Sequence, residues 1–538
     1  MRWEDTLSYY EHRSVATTFN CQLDVLGREC PDASNLLKVL AFLDPEGISL
    51  DMLTDGATAL LESQSQVLSR PSRKQWLRTF KDKVLRWRID RAKFRDHDRN
   101  TTLILTPKIT SLLAMIQSPI DLRTAIMQLR DHSLILVQSQ TLHIHDLIQL
   151  VVRENAKEGG HDQDWFRCAV DIVCRAFGKI NDHRSPQSWP RCEPIVPHIQ
   201  SLRSRRVISR DGNIQLVLAS QNLGRYLQGR GRYVEAATLF CEVMVDMQQI
   251  YGLESLSTLC AMDELAWSYK YCGRFNDAGK FCEQVLRAKE TCLGPEHIGT
   301  VGTRYRLALI RIDQERYDEA EALLKEALAC QERQIGKEHR NTLCTVYGLS
   351  RVYYCKGLFT EAQGALARVQ QGLEGIVGAA HRDTLEVVCS LAVVSLSQKR
   401  YSDAEALFKR VLLGRQQLLG PEHVLSLATM GGLALAYNSQ GRHDEGEELL
   451  RKMLLGVEQQ VGSDHPHTLL AKRALAEAYR AQERYAEAEA LLLTVGKAGQ
   501  DVLGPSHGDT PASERFLASL PSSIIDVPYL ACESLSGW

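Results

Sequence analysis

The chain has 538 residues, with 64 lysines and arginines against 66 aspartates and glutamates. A net charge of −2 creates no overall attraction to nucleic acid or membranes, so any such role must be local. The amino terminus lacks the apolar core of a secretory signal, and no run approaches the ~20 apolar residues that span a bilayer. We therefore predict a soluble protein without a membrane partner, in the cytoplasm or alternatively the nucleus. Its 15 cysteines, which lack a Cys-x-x-Cys pair, are expected to be reduced and mostly buried.

Residues 1–160 are predicted to form a small α+β domain. Apolar spacing and turn residues predict helices over 34–43, 121–130 and 146–154 and a hairpin over 133–144. Asp121 and Asp146 are the expected N-caps of the second and third helices. Helices followed by a hairpin and another helix indicate a winged-helix arrangement.

Residues 70–99 form the strongest charge run in the chain, with twelve basic residues against four acidic ones. Tryptophan and phenylalanine are interleaved with the basic residues, and a winged helix lies nearby. One hypothesis is nucleic-acid binding, with Arg86, Arg88 and Arg91 as phosphate contacts. The alternative is a solvated helical insertion whose aromatic residues pack on the domain.

Residues 161–210 are predicted to be a degenerate helical repeat that caps the regular repeats after residue 210. Its amphipathic first helix spans 165–177 and its second spans 194–202.

Residues 211–510 repeat with a period of 42 residues, which is typical of a solenoid. One column of short turns is followed by a helix start and reads Gly231, Gly273, Glu315, Gly357, Lys399, Gly441 and Glu483. A second column of longer turns reads Gly252, Gly294, Gly336, Gly378, Gly420, Gly462 and Gly504. Each unit is predicted to be an antiparallel helix pair whose apolar surface is covered by its neighbours, giving seven pairs between about 213 and 503. The period is lost after 510, so 511–538 are expected to be a short closing helix and a loose tail.

The repeated columns resemble the tetratricopeptide repeat. Leu223, Gly224, Leu227, Ala236 and Phe240 match its signature positions in the first unit. The 42-residue period, with Leu-Gly-Pro-Glu-His in the long turn at 293–297 and 419–423, is similar to the kinesin light chain subtype. The resemblance implies a mostly α fold, a right-handed α-solenoid of helix pairs preceded by the small winged-helix-like domain.

The amino-terminal domain resembles a different family. Ile144-His145-Asp146, the helix over 121–130 and the segment 133–135 look like the winged-helix module of NB-ARC proteins of the STAND class. In that family the histidine faces bound ADP. No Gly-Lys pair in the chain is followed by serine or threonine, so a P-loop ATPase core is absent from the sequence. One hypothesis is therefore a truncated STAND or NLR-like signalling protein; the alternative interpretation of His145 is a structural residue at a helix start.

Two patterns that suggest chemistry are better explained by the repeat. Gly504-Pro505-Ser506-His507-Gly508 fits the Gly-x-Ser-x-Gly motif of hydrolases, but it follows a helix and belongs to the long-turn column. A histidine column recurs once per repeat, about a helix-pair width apart, which is too far for shared zinc bonds of about 2 Å. We predict structural turn residues at His297, His339, His381, His423, His465 and His507.

The remaining functional candidate is a binding surface. The resemblance implies that the first helix of each pair lines a concave groove, so two columns of the first helices should face a ligand. These columns read Gln221, Asp263, Tyr305, Tyr347, Cys389, Gly431, Arg473 and Arg225, Trp267, Leu309, Arg351, Val393, Leu435, Glu477. The groove candidates chosen from and beside them are Arg225, Asp263, Trp267, Lys270, Tyr305, Tyr347, Arg351, Tyr354 and Arg473. Tyrosine and tryptophan beside arginine and lysine would suit an extended peptide with aromatic and acidic residues; packing of the aromatics between repeats is the alternative.

Three functions are left open: a non-enzymatic scaffold for a peptide or protein, a truncated STAND protein, and a DNA-binding regulator. We expect no catalysis, no cofactor and no metal.

Overall fold

The protein is described by a computed structural model covering residues 9–68, 106–205, 214–463 and 466–503. The chain divides into two compact units, Met1–Leu293 and Gly294–Trp538. Twenty-three α-helices lie in the described ranges, so the predicted mostly α class is confirmed. None of these described helices combines the length and the apolar character that crossing a membrane requires.

The amino-terminal part of the first unit combines helices with a small antiparallel sheet. Its helices are α1 (Tyr9–Glu29), α2 (Pro31–Leu40), α3 (Leu50–Leu68), α4 (Pro107–Gln117), α5 (Pro119–Asp131) and α6 (Asp146–Glu158). Its strands are β1 (Ile48–Ser49), β2 (Leu136–Gln138) and β3 (Thr141–His143), in the order β1-β3-β2. The predicted hairpin is present, with Val137 opposite Leu142. The basic stretch 70–99 and the tail 511–538 lie outside the described residues.

Both predicted N-caps in this part were wrong by a short distance. Helix α5 begins at Pro119, and the Ser118 hydroxyl accepts the N–H of Asp121. The proline explains the earlier start, because its fixed φ and missing N–H suit the first helical position. Helix α6 is capped by His145, whose Nδ1 accepts the N–H of Leu147 at 3.2 Å.

The segment after α6 packs into the same core as the domain before it. It contains α7 (Asp162–Gly178), a 3₁₀ turn (Pro186–Ser188), α8 (Trp189–Cys192) and α9 (Val196–Ser204). One buried apolar cluster runs from Leu26 through α7 and α9 to Leu265. Gly56 of α3 lies so close to α7 that a Cβ there would be 2.1 Å from the carbonyl oxygen of Ile172. One apolar core is therefore shared by residues on both sides of the predicted segment boundaries at 160 and 210.

Seven antiparallel helix pairs come next, as the period predicts. In the first unit they are α10 (Ile214–Gly229) with α11 (Tyr233–Tyr251) and α12 (Leu256–Tyr271) with α13 (Phe275–Leu293). In the second unit they are α14 (Ile298–Asp313) with α15 (Tyr317–Gln334), α16 (Arg340–Cys355) with α17 (Phe359–Val377), α18 (Arg382–Ser397) with α19 (Tyr401–Leu419), α20 (Val424–Ser439) with α21 (His443–Val461), and α22 (Pro466–Ala481) with α23 (Tyr485–Leu503).

The two turn columns have different backbone conformations. All seven short turns have positive φ, from 61° at Glu315 to 80° at Gly441. In the first of them, Arg232 N–H bonds Leu227 O and Gly231 N–H bonds Gln228 O, which is the Schellman pattern of helix ends. The six described long turns place glycine at φ between 88° and 95°; at Gly378 the ψ is 162°, a region that only glycine readily adopts.

Candidate functional site

The predicted groove residues lie on the first helices of their pairs, but most of them are engaged within the chain. Asp263, Trp267 and Tyr347 are buried, at 8%, 9% and 3% exposure. The remaining six are partly buried. The site therefore has to be judged from the contacts that each side chain already makes.

A buried polar network surrounds Arg225 in the first unit. Arg225 Nε lies 3.3 Å from Glu264 Oε1, and Arg184 donates to the other oxygen of the same carboxylate. Arg184 also donates to Gln228 Oε1 at 2.8 Å, while Gln228 Nε2 donates to Ser268 Oγ at 2.9 Å. Two guanidinium groups thus neutralise one carboxylate, on a residue that is 5% exposed.

Arg184 was missed by sequence reasoning because it lies outside the 42-residue period. It stands in the turn after α7, within the degenerate repeat. Its backbone is close enough to α10 that a Cβ on Gly229 would lie 2.6 Å from the Arg184 carbonyl oxygen. The network therefore connects the degenerate repeat to the first two helix pairs.

The three groove candidates on α12, Asp263, Trp267 and Lys270, also make contacts within the chain. Asp263 Oδ2 receives a hydrogen bond of 3.1 Å from Lys289 Nζ, in a pair that is buried on both sides. The Trp267 and Tyr271 rings are nearly perpendicular, with centroids 5.2 Å apart. Lys270 Nζ lies 4.2 Å from the Tyr271 centroid and 5.3 Å from that of Trp267, which fits a cation–π arrangement.

In the second unit, the predicted tyrosines pack between neighbouring repeats. The Tyr347 hydroxyl lies 2.8 Å from Ser390 Oγ, and Ser397 Oγ donates to the Tyr354 hydroxyl at 3.3 Å. Tyr305 packs against the same apolar cluster that contains Tyr347. These three tyrosines therefore pack between repeats, which was the alternative to contact with a ligand.

The predicted groove cations of the second unit are paired with acids. Arg351 Nη2 lies 3.6 Å from Asp313 Oδ1, and both side chains are 14% exposed. Arg473 Nε lies 3.4 Å from Glu477 Oε1, one helical turn away on α22. Because each cation has an acid beside it, the inner positions carry less net positive charge than the residue types alone indicated.

The central repeat of the second unit is closed at the predicted ligand positions. Every residue of α18 from Asp383 to Leu396 is buried, including Cys389 and Val393 at 1% and 0% exposure. Burial raises the pKa of the Cys389 thiol to about 12, so this cysteine is not a reactive thiolate. Apolar burial explains why these two positions do not present side chains to a ligand.

The histidine column caps helices, which confirms the structural interpretation of the four described members. In each, Nδ1 accepts the backbone N–H two residues later, at 3.1 to 3.2 Å, at the starts of α14, α16, α18 and α20. These caps are His297, His339, His381 and His423. His465, His507 and the Gly504–Gly508 motif lie outside the described residues. In the part of the chain that the structure describes, no cluster of three histidine, cysteine or acidic side chains could hold a metal ion.

The nucleic-acid candidates Arg86, Arg88 and Arg91 lie outside the described residues. Helix α5, which a winged helix would present to DNA, exposes Arg123 and Arg130 together with the acids Asp121 and Asp131. The exposed charges of this helix therefore balance, and the DNA-binding hypothesis stays a prediction.

Stacked antiparallel helix pairs of constant length define an α-solenoid, and comparison with known proteins identifies its repeat. A tetratricopeptide repeat family model matches residues 300–374, 383–452 and 428–495, and another tetratricopeptide repeat model matches 258–299. These residues are tetratricopeptide repeats. A search of curated proteins found no match.

Several solved structures are similar to parts of the chain. The apo form of the quorum sensor NprR from B. thuringiensis is 14% identical over 66% of this chain and 93% of its own, with a TM-score of 0.50. Nearly identical TPR-like repeats of a putative kinesin light chain from Podosopora anserina are 28% identical over 36% of this chain and 93% of theirs, with a TM-score of 0.33. A STAND protein with a tetratricopeptide repeat sensor from Pyrococcus horikoshii is 14% identical over 69% and 58%, with a TM-score of 0.42. The NprR likeness shows the fold alone, and none of the comparisons supports the predicted winged helix, which stays a prediction.

Proposed function

We propose that this chain is a non-enzymatic scaffold that captures a peptide or protein on the first helices of its repeats. The observation that carries the proposal is the tetratricopeptide repeat array itself, because stacked helix pairs create an extended concave or convex surface for a partner. NprR, whose fold is similar, has also been solved with its cognate peptide NprX. We propose that the scaffold acts in the cytoplasm, with the nucleus as the alternative.

The contacts within the chain narrow the expected ligand. Arg225, Arg351 and Arg473 are all paired with acids, so an acidic ligand would have to compete with the carboxylates of Glu264, Asp313 and Glu477. In the α12 cluster the Lys270 ammonium packs on the rings of Trp267 and Tyr271, which brings a cation and two aromatic side chains together. We therefore place the first contact of an aromatic or acidic peptide at this cluster.

The proposal can be tested with random peptides displayed on phage and selected on the immobilised full chain. Recovered peptides would be synthesised with a fluorescent label and their dissociation constants measured by anisotropy. Lys270→Ala should weaken binding by about tenfold, since a charge-assisted contact from the ammonium to the peptide contributes about 1.5 kcal/mol. Lys280→Ala, at an exposed position of α13, is the matched control and should leave the affinity unchanged.

The second unit needs a charge swap, because reversing Arg351 alone also breaks its pair with Asp313. The double variant Arg351→Asp with Asp313→Arg keeps an ion pair while it exchanges the two charges. Peptides that use this region should lose affinity for the swapped chain although its unfolding midpoint is unchanged. If neither the charge swap nor Lys270→Ala changes the affinity, the binding surface lies elsewhere.

A further inference from the structure

Large apolar side chains of the second unit are exposed on the second helices of the pairs. Six of them are at least half exposed: Ile376 on α17, Leu413 and Leu418 on α19, Leu455 on α21, and Tyr485 and Leu493 on α23. On the first helices, among residues whose exposure is described, the exposed large apolar side chain is Ile298 at the start of α14. The surface with accessible apolar area is therefore the outer one, opposite the closed positions of α18.

Two of these leucines share the same surroundings in consecutive repeats. Leu413 and Leu455 are 42 residues apart, and each is 59% exposed. Each is preceded at three and four positions by two cations, Lys409 and Arg410 on α19 and Arg451 and Lys452 on α21. Residues three and four apart lie on one face of a helix, so each leucine is adjacent to its two cations. We call these six residues the outer patch.

Two cations of the outer patch lie above glutamates of their own helices. Lys409 Nζ is 2.7 Å from Glu405 Oε1, and Arg451 Nε is 2.9 Å from Glu447 Oε1. The lysine and arginine side chains are 51% and 57% exposed, whereas the two glutamates are 16% and 14% exposed. The cations therefore remain accessible to a partner although the acids beneath them do not.

The charge state of the acid beneath Lys409 is fixed by its hydrogen bonds. Donors on Lys409, Gln440 and Arg442 lower the pKa of Glu405 to about 2, so this carboxylate stays ionised and holds its cations in place. Arg410 is similarly held by Glu374 of the neighbouring repeat, at 2.7 Å, and its side chain is 40% exposed. Ammonium and guanidinium groups carry several donors, so one such pair does not exhaust them.

The repeat does not require this arrangement for its own folding. At the positions equivalent to Lys409, Arg410 and Leu413, α17 has Ala367, Arg368 and Gln371. Helix α15 has Lys325, Glu326 and Ala329 there. Both helices pack normally, so the cation–cation–leucine register of α19 and α21 needs another explanation.

The geometry points to a partner. Helices α19 and α21 are adjacent, since Arg442 at the start of α21 bonds Glu405 of α19 at 3.0 Å. Neighbouring second helices in a stack of helix pairs are separated by on the order of 10 Å. Seven residues of an α-helix rise about 10.5 Å, so apolar residues seven apart on a crossing helix match the two leucines.

We propose that the outer patch docks an acidic amphipathic helix of a partner protein, with apolar residues seven positions apart that contact Leu413 and Leu455. Carboxylates beside those residues pair with the four exposed cations. This surface uses other residues than the first-helix surface of the proposed function, so the protein would bind two partners at once. The occupant is a protein segment because two leucines among fixed cations offer point contacts, whereas a bilayer needs a broad apolar face.

The test uses a labelled alanine-based helical peptide with leucine every seventh residue and glutamates at the flanking positions. Its affinity for the full chain is measured by anisotropy, beside the same peptide with lysine in place of glutamate. The acidic peptide should bind, and the double variant Leu413→Ala with Leu455→Ala should weaken binding by about tenfold or more. Lys452→Glu should weaken it several-fold and reduce its salt dependence.

Controls separate this surface from the groove and from other occupants. Lys270→Ala should not change binding of the acidic helix, and the outer-patch variants should not change binding of groove peptides. Equal binding of the lysine peptide, no binding at millimolar concentration, or binding unchanged by the double leucine variant would each overturn the proposal. If sedimentation shows that the chain self-associates and that the double leucine variant does not, the occupant is a second copy of the chain. If the chain binds vesicles with one-fifth phosphatidylserine but not the peptide, the occupant is a membrane.

Discussion

The two turn columns allow a sharp prediction about glycine. Gly357 precedes α17 with φ 74°, and Gly378 comes directly after α17 with φ 93° and ψ 162°. A Cβ built at either position meets no heavy atom within 4 Å, so substitution tests the backbone conformation alone. Both turns border the same helix, so one set of amide probes reports on both variants.

The expected costs differ because the two conformations differ in what an L-residue tolerates. A non-glycine residue in the left-handed region costs about 1–2 kcal/mol, and the chain itself accepts Glu315, Lys399 and Glu483 in this column. The long-turn conformation is almost restricted to glycine, so Gly378→Ala should cost about 3 kcal/mol. Glu315→Gly should be neutral or stabilising by about 0.5 kcal/mol, since relief of strain exceeds the added chain entropy.

Hydrogen exchange of the α17 amides, followed by mass spectrometry at constant pH, measures the local free energy of opening. This readout suits a repeat array, whose neighbouring units need not unfold together. Gly364→Ala, inside α17 with open space around its Cβ, is the control and should stabilise the helix by about 1 kcal/mol. If Gly378→Ala costs no more than Gly357→Ala, the distinction between the two turn conformations is refuted.

Three further predictions concern caps, buried charge and close packing. Burial, with Arg382 and Arg415 nearby, lowers the pKa of His423, whose neutral ring caps α20; its stabilisation is therefore complete above about pH 6.5 and is lost as the pH falls below that. His423→Asn keeps a cap of about 1 kcal/mol without titrating, so the free energy of opening measured from the α20 amides should fall less between neutral and acidic pH than in the unmodified chain. The same dependence on pH in both chains would contradict this. Glu264→Ala should destabilise the first unit by about 3 kcal/mol in urea unfolding, because it removes the carboxylate that Arg184 and Arg225 share, and a cost below about 1 kcal/mol would refute the network. Gly56→Ala should cost about 3 kcal/mol in the same assay because of the 2.1 Å approach to Ile172, whereas Gly178→Ala, with open space, should not destabilise the fold; equal effects would exclude close packing as the cause.

The repeat was predictable from sequence because each turn imposes a local requirement every 42 residues. Gly231 and its equivalents mark helix ends, and Ala236 and its equivalents mark close helix approach, so helix number and length could be derived directly. The exposure of the groove side chains could not be predicted, because it depends on how neighbouring first helices cover one another. Cys389 and Val393 occupy predicted ligand-facing columns, yet both are buried by packing that no single repeat contains.

The predictions of helix caps and of distant contacts failed for a related reason. His145 and Asp146 are adjacent, and the choice of cap depended on which side chain could reach the N–H of Leu147. Arg184 has no periodic counterpart, so its contact with Glu264, 80 residues later, left no pattern in the sequence. Periodicity predicts local structure well, whereas contacts between unlike segments must be seen in three dimensions.

The residues that precede the first helix pair act as the end cap of the repeats in the first unit. The first pair of a solenoid has one apolar side that no repeat covers, so it needs a different element there. In this chain α7 and α9 supply that element, and their apolar side chains belong to one cluster with Leu26 at one extreme and Leu265 at the other. Because α3 contacts α7 through Gly56, the sheet-containing domain is fixed to the same core. A chain ending at residue 160 would expose the surface that contacts α7, so we expect it to aggregate, whereas a chain ending at 293 should fold alone with cooperative urea unfolding. A soluble, cooperatively folded fragment of residues 1–160 would show that the two parts are independent domains after all.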